Sequence, residues 1–561
     1  MLLEDLDLNN IQDIEQSRRA IIMLFNLLED LKAENRKLQE ENQRLRDENN
    51  RLKGEQGKPD IKPNKPQGES AKADHSSEAE RRKPRERQKS SKLENIKVDR
   101  QQVLPVDPAQ LPPDAQFKGY EEVVVQDILI QTDNVLFRKE KYYSPAERKS
   151  YLAELPAGYQ GQFGPGIKSL AIVYYFGCNM SEPKILEFFS HFGIRISAGE
   201  LSHLLTQGQP ALHAEKDAIY QAGLLSSPWH HIDDTGTRVN GQNNYCHILC
   251  NPLYTAYFTK ARKDRLTVLD ILRNGQDRTF RLNEETEDFL RAFDLSERII
   301  RVLQSFPQER ELSEGEFVGL LNAHLPNLGT QKRTRILDAV GVATYHTQRE
   351  WPVIKLLLCD DAPQFQWLTE ELALCWVHEG RHYKKLEPYV PHHRQLLEDF
   401  LEKFWQFYDQ LLAYRQEPNA QSLPRTRSGD KRGLSRKFDT LFSTVTGYRA
   451  LDERIEKTRG KKSSLLMVLD HPEIPLHNNP AELGARMRVR KRDVSFGPRT
   501  PDGAKAWDTL MTIAATAKKL GVSFYRYIHD RVSGTLKMPS LADLITEQAK
   551  QYPLGLSWDS S

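Results

Sequence analysis

Leucine recurs at every seventh residue at Leu24, Leu31, Leu38, Leu45 and Leu52, while Ile21, Leu28, Asn35, Asn42 and Asn49 hold the other seam position. Such a repeat puts one apolar stripe on a long helix, and over this length it favours pairing with another helix over packing on a core of its own. Asparagine in that seam weakens packing but favours a parallel, in-register dimer, where the two amides can hydrogen-bond each other. Glu41 and Glu48 precede Arg46 and Lys53 by five residues, the offset that brings opposite charges across such a pair. Residues 1–53 are therefore expected to form a leucine-zipper coiled coil, with homo-oligomerisation through residues 21–52. A zipper that grips the major groove carries a basic region ahead of its repeat. Here the first twenty residues hold only Arg18 and Arg19 as bases, so the zipper is read as an assembly device.

With 561 residues the chain needs several folding units. Residues 54–102 lose the periodicity and fill with Lys, Pro, Glu, Gln, Gly and Ser, the composition of a disordered linker. Lys and Arg total 80 against 78 for Asp and Glu, so bulk charge names no partner. Its distribution is more informative: Arg81, Arg82, Lys83, Arg85, Arg87, Lys89 and Lys92 face Glu86 alone, which suits a solvated tether or sequence-independent contact with phosphates. Apolar patterning returns near residue 103, where Val123 to Val125 and Ile128 to Leu136 read as β structure in a small module, residues 103–164. Residues 165–225 read as helical, with one helix carrying Leu170 to Phe176, another from Glu182 to Phe192, a turn at Gly193 and a third helix after Ser197. That succession suits a helix-turn-helix DNA-binding segment, and equally a helical module that touches no DNA.

Five cysteines, mostly inside apolar runs, fit reduced thiols. Cys375 and His378 make a C-x-x-H pair, but no second pair stands at zinc-finger spacing. No run approaches the roughly 20 apolar residues of a membrane span, so a cytoplasmic protein without membrane contact is expected.

The chemistry lies further on. Trp229-His-His-Ile-Asp233-Asp-Thr235 opens a region with two more strand-like runs, Tyr245 to Cys250 and Leu253 to Thr259. Val353 to Asp360 is an apolar run ending in acid, as a buried strand delivers a carboxylate to a sheet edge, and Leu372 to Val377 reads as a further strand. Downstream, Asn478 or Asn479 before Pro480 starts a helix whose first turn holds Glu482, with Arg486 and Arg490 on the same face four and eight residues on. Taken singly, a strand-end Asp caps a turn and a first-turn Glu complements the helix dipole. Together, three acids on separate elements match what two hard divalent cations require, namely oxygen ligands converging from different directions.

Phe163-Gly-Pro-Gly-Ile-Lys168, Asp233-Asp-Thr235, Asp360-Asp-Ala-Pro-Gln-Phe365, Cys375-Trp-Val-His378 with Arg381, and His477-Asn-Asn-Pro-Ala-Glu482 with Arg486 are in combination highly specific. In these motifs the chain resembles the insertion-sequence 66 (IS66) transposases, a group with a ribonuclease-H-like catalytic core bearing two aspartates and a glutamate. The resemblance runs from the zipper almost to the C-terminus. It implies a multidomain α/β protein: zipper, small DNA-binding module, a ribonuclease-H-like core over residues 226–530 with helical insertions at about 265–345 and 388–470, and a tail at 531–561. The x-Thr that follows the first catalytic acid in this group selects Asp233 over Asp234. An aromatic five residues after the second, here Phe365, selects Asp360 over Asp361. The cysteine-rich segment that relatives often carry ahead of the core has no counterpart between residues 103 and 165, where this chain has no Cys.

The resulting expectation is metal-dependent DNA cleavage and strand transfer at element ends, with Asp233, Asp360 and Glu482 holding two Mg2+ ions, or Mn2+ in their place. Arg486, Arg488, Arg490, Lys491 and Arg492 are expected to contact DNA, as are His378 and Arg381 unless they serve the core. The partners expected are terminal inverted repeats, target DNA and, from the resemblance, small accessory proteins encoded beside the transposase. A nuclease of the same fold that does not join ends, and a non-catalytic DNA-binding dimer, are the alternatives.

Overall fold

A computed structural model describes residues 13–52, 96–159, 161–416 and 424–558. The heptad segment is one helix, α1 (Ile14–Leu52), and its seam faces solvent: Leu28 is 44% and Leu31 64% exposed. The opposite face of α1 is docked on the body. Asn26 donates to the Gly447 carbonyl at 2.9 Å and accepts from Arg449 N–H at 3.0 Å, while Glu29 accepts from the Tyr389 and Val390 amides at 2.9 and 2.8 Å. Most of the linker expected over 54–102 lies outside the described residues.

Within the small β-containing module expected over 103–164, the β structure read from Val123 to Leu136 is absent. Residues 111–140 carry no strand, and Val123, Val125, Ile128 and Leu136 are exposed. β-branched residues favour a strand only where a partner ladder and a covered face exist, and here neither does. The pairing that does occur is a short hairpin of Lys141–Ser144 with Lys149–Leu152.

The helices of the next segment are α2 (Pro165–Ile172), continued by a single π turn, then α3 (Glu182–His191), α4 (Ala198–Thr206) and α5 (Pro210–Leu225). Gly193 makes its turn at φ +72°, and the Ser197 hydroxyl caps α4 by accepting from Glu200 N–H at 3.1 Å. These helices are no separate lobe. α2, α4 and α5 pack on α10 (Pro501–Lys519), α11 (Phe524–Val532) and α12 (Leu541–Gln551), and α10 lies against the strand Thr255–Lys260.

The sheet has five strands: β1 (Trp229–Val239), β2 (Gln242–Cys250), β3 (Thr255–Lys260), β4 (Leu356–Cys359) and β5 (Glu371–Leu374), in the order β3-β2-β1-β4-β5. The first three form an antiparallel meander, whereas β4 and β5 run parallel to β1. Between β3 and β4 the chain inserts a helical excursion running from Arg265–Leu272 to Thr330–Thr347. After β5 come α6 (Trp376–Lys384) and a second excursion with α7 (Pro391–Gln416) and α8 (Arg449–Arg459), before α9 (Asn479–Ser495) returns to lie across β1 and β2. A Cβ on Gly484 would stand 2.8 Å from Ile248 Cγ2, so glycine is what lets α9 approach β2 this closely.

The described residues of the C-terminal tail expected over 531–561 are packed on the body. α12 packs on α5, Trp229 donates its indole N–H to the Leu554 carbonyl at 2.5 Å, and Trp558 stacks on His471 at 3.6 Å. Among the described residues, no helix is long and apolar enough to cross a membrane.

Candidate active site

The register of β1 and β4 pairs His231 with Leu358. Two residues further along stand Asp233, inside β1, and Asp360, immediately after β4, so continuing this register puts the two carboxylates at the same level and, by the two-residue alternation of strands, on the same face. That face is the one α9 covers: His231 Nδ1 is 3.0 Å from Asn478 Oδ1, and the Asn478 amide donates to the Ile232 carbonyl at 2.7 Å. Asn478 immediately precedes α9, and these bonds fix the height at which its first turn, with Glu482, meets the sheet. Burial holds the His231 imidazole well below its usual pKa, which keeps it neutral for this contact.

Asp234 and Asp361, the neighbours that the resemblance passed over, are engaged elsewhere. Asp234 accepts from the Gln364 amide at 2.6 Å and lies 3.7 Å from Lys263, and Asp361 is paired with Lys461 at 2.5 Å. Asp233 and Asp360 form no ion pair among the described residues; each accepts one backbone N–H, from Asp234 and Ala362 respectively. Burial, followed by the charge of Asp360, pushes Asp233 up to about 7, and burial also raises Asp360, opposed chiefly by His378.

Glu482 has a different environment. Arg381, on α6, donates two hydrogen bonds to its carboxylate at 3.1 and 3.0 Å. α6 is itself tied to the start of α9, because Trp376 N–H donates to the Leu476 carbonyl at 2.9 Å and the Cys375 thiol accepts from the amides of His378 and Asn478 at 3.3 and 3.2 Å. His378 lies beside Asp360 and stacks edge-on with His382 at 4.9 Å.

The basic run of α9 divides by helical spacing. Arg486 and Arg490 extend the Glu482 face into solvent, and Arg492 reaches back to the Gly236 carbonyl at 2.7 Å. Arg488 and Lys491 point inward, each 1% exposed, so neither belongs to the surface set expected to meet DNA. Arg488 donates to Thr259 at 2.8 Å, lies 3.5 Å from Asp508 and stacks on Trp507. The Lys491 ammonium sits 3.0 Å from the centre of the Tyr175 ring and donates to Ser495 at 3.0 Å, and burial brings it down to about 7 despite the opposing charge of Glu182. A buried charge is tolerated only when paired or hydrogen-bonded, and α10 and the π turn supply partners that lie far away in the chain.

The family described as "Transposase IS66 family" matches residues 356–506, which include Asp360, His378, Arg381 and Glu482. An uncharacterized protein of Sinorhizobium fredii, y4jO, is 30% identical over 322 residues, covering 56% of this chain and 94% of the relative. The chain belongs to the IS66 transposase family. Within this IS66-family chain, Lys263, Gln364 and Lys461 are site-shaping residues that sequence reasoning did not single out, and Asn478 was read there only as a helix start. Gln364 and Asn478 sat inside the motifs, whereas Lys461 carried no signal, since it comes back to the site from the second excursion.

The donor chemistry fits a divalent cation in part. Asp233 and Asp360 offer unpaired hard oxygens side by side, but among the described residues no three acidic, imidazole or thiol groups are gathered closely enough to hold an ion. Glu482, the third acid, is turned into its pair with Arg381. A cleft of about 1410 Å³ between α1 and the α6–α7 region is lined by none of these acids.

Proposed function

We propose that the chain is a DNA transposase that cuts and joins strands at the ends of an insertion element, with Asp233, Asp360 and Glu482 as its catalytic acids. The observation that carries this reading is the shared level and face of Asp233 and Asp360 on adjacent parallel strands, with Glu482 opening the helix across that face. The sheet order, a three-strand meander followed by two strands parallel to its first, supports a ribonuclease-H-like core interrupted by two helical excursions. When bound, two Mg2+ ions would activate the attacking hydroxyl and stabilise the leaving oxygen during in-line displacement. Asp233 and Asp360 would hold them from the sheet and Glu482 from α9. Arg486 and Arg490, exposed on the face of Glu482, are positioned to grip phosphates beside the reacting bond.

The exposed seam of α1 supports pairing with a second copy, and a transposase acting on chromosomal DNA belongs in the cytoplasm at the nucleoid. The test is a strand-transfer assay with purified chain, Mg2+, a pre-cut element end and a target plasmid. Joined products that vanish in Asp233→Asn and Asp360→Asn are expected. Cleavage without joining would identify a nuclease, and DNA binding with neither would identify a non-catalytic DNA-binding protein.

A further inference from the structure

We infer that Arg381 is the resting counter-cation of Glu482, and that metal loading transfers its guanidinium from that carboxylate to a DNA phosphate. The inference rests on the function proposed above and deepens it. Three cations hold acids around the site, and they are held differently themselves. Lys461 is shared between Asp361 and the buried Glu379, with its side chain 17% exposed; Lys263 approaches Asp234 without a hydrogen bond. Arg381 makes a two-pronged contact with Glu482 while its side chain remains 46% exposed, so it can leave into solvent without opening the core.

The backbones on either side of this pair are fixed. Trp376, Cys375 and Asn478 tie the start of α6 to the start of α9, so the exchange is one of side chains carried on joined helix starts. A divalent ion shared with Asp233 and Asp360 would take over the charge that Arg381 now balances on Glu482. A freed guanidinium then presents its planar fork beside the position of the scissile phosphate, where bidentate geometry suits a phosphodiester as well as a carboxylate. A half-exposed ion pair is weak enough to be displaced by such an ion. Metal and DNA should therefore bind with positive coupling, each favouring the state the other needs.

Titrating the full chain with Mn2+ alone, and separately with a random-sequence duplex with and without Mn2+, tests this. Arg381→Gln should bind Mn2+ about fivefold more tightly than the parent, the scale of one exposed ion pair. Mn2+ should strengthen DNA binding in the parent and not in Arg381→Gln. Glu482→Gln loosens the same pair from the other side and should raise DNA affinity in the absence of metal. Equal Mn2+ affinity in parent and Arg381→Gln, with binding lost in Asp360→Asn, would overturn the exchange while leaving the catalytic reading intact. No Mn2+ binding in any of these proteins would overturn both.

Discussion

Asp233, inside β1, and Asp360, just past the end of the parallel neighbour β4, stand at one level with no ion-pair partner among the described residues, while the acid that follows each of them is held by a lysine. Two adjacent uncompensated carboxylates are expensive to keep in a partly buried site. Their neighbours, by contrast, are neutralised by the fold itself.

This difference predicts an asymmetry within each pair of acids. Asp233→Asn and Asp360→Asn should each lower strand cleavage by about 10⁴-fold or more, the scale of losing a group that acts as part of a catalytic unit. Asp234→Asn and Asp361→Asn should cost far less. Single-turnover cleavage with DNA binding measured in parallel decides it; equal losses across all four would remove the distinction.

The two faces of α9 predict two kinds of arginine. Replacing Arg486 or Arg490 by Ala should weaken DNA binding and reduce the salt dependence of log Kd by about one unit for each phosphate no longer neutralised. Arg488→Ala should instead leave Asp508 buried without its cation and destabilise the fold by about 3–5 kcal/mol. A reduced salt slope for Arg488→Ala with unchanged melting temperature would contradict its interior placement.

Lys491 sets a pH dependence. Its folded pKa of about 7 lies below the unfolded 10.5, so between these values the unfolded chain binds the extra proton and native stability rises with pH. Below about 7 the folded protein carries a charged amine inside its core, and the destabilisation is greatest. Lys491→Met should therefore stabilise the protein most at pH 6–7, with its advantage shrinking as pH climbs toward 9.5. Thermal melts across that range would refute the idea if the difference were constant.

Gly484 predicts a packing limit. Gly484→Ala places a methyl against Ile248 and should cost about 1–3 kcal/mol in denaturant unfolding. Adding Ile248→Ala should recover part of the loss; a neutral Gly484→Ala would mean that α9 sits further from the sheet.

Glu29 predicts a local effect. Its carboxylate accepts both amides that precede α7 and meets His393 at 3.3 Å. Glu29→Ala should speed hydrogen exchange at Tyr389 and Val390 by about 10- to 100-fold, the worth of hydrogen bonds to a charged group. Unchanged exchange would show that α1 does not hold this loop.

What could be read from the sequence follows from how local its cause is. The strand leading to Asp360 is announced by an apolar run, and the start of α9 by Asn479-Pro480, because strand formation and helix initiation are properties of a few adjacent residues. Arg486 and Arg490 shared a face with Glu482 on spacing alone. The same spacing does not say that Arg488 and Lys491 face inward, since that depends on Trp507, Asp508 and Tyr175, which only the folded chain brings to them. The Val123 to Leu136 run had strand composition but no ladder to join, and composition cannot supply a partner. Lys461 was invisible for the opposite reason: an ordinary surface-type residue acquires its role by being carried back to Asp361 from a distant excursion.

The bond between the Trp229 indole and the Leu554 carbonyl spans 325 positions of sequence. During synthesis, the strand bearing Asp233 leaves the ribosome long before the residues that will brace its first residue exist. Chains ending anywhere between Glu482 and Leu554 would carry every one of the three acids and yet lack the strap under the strand that aims the first of them.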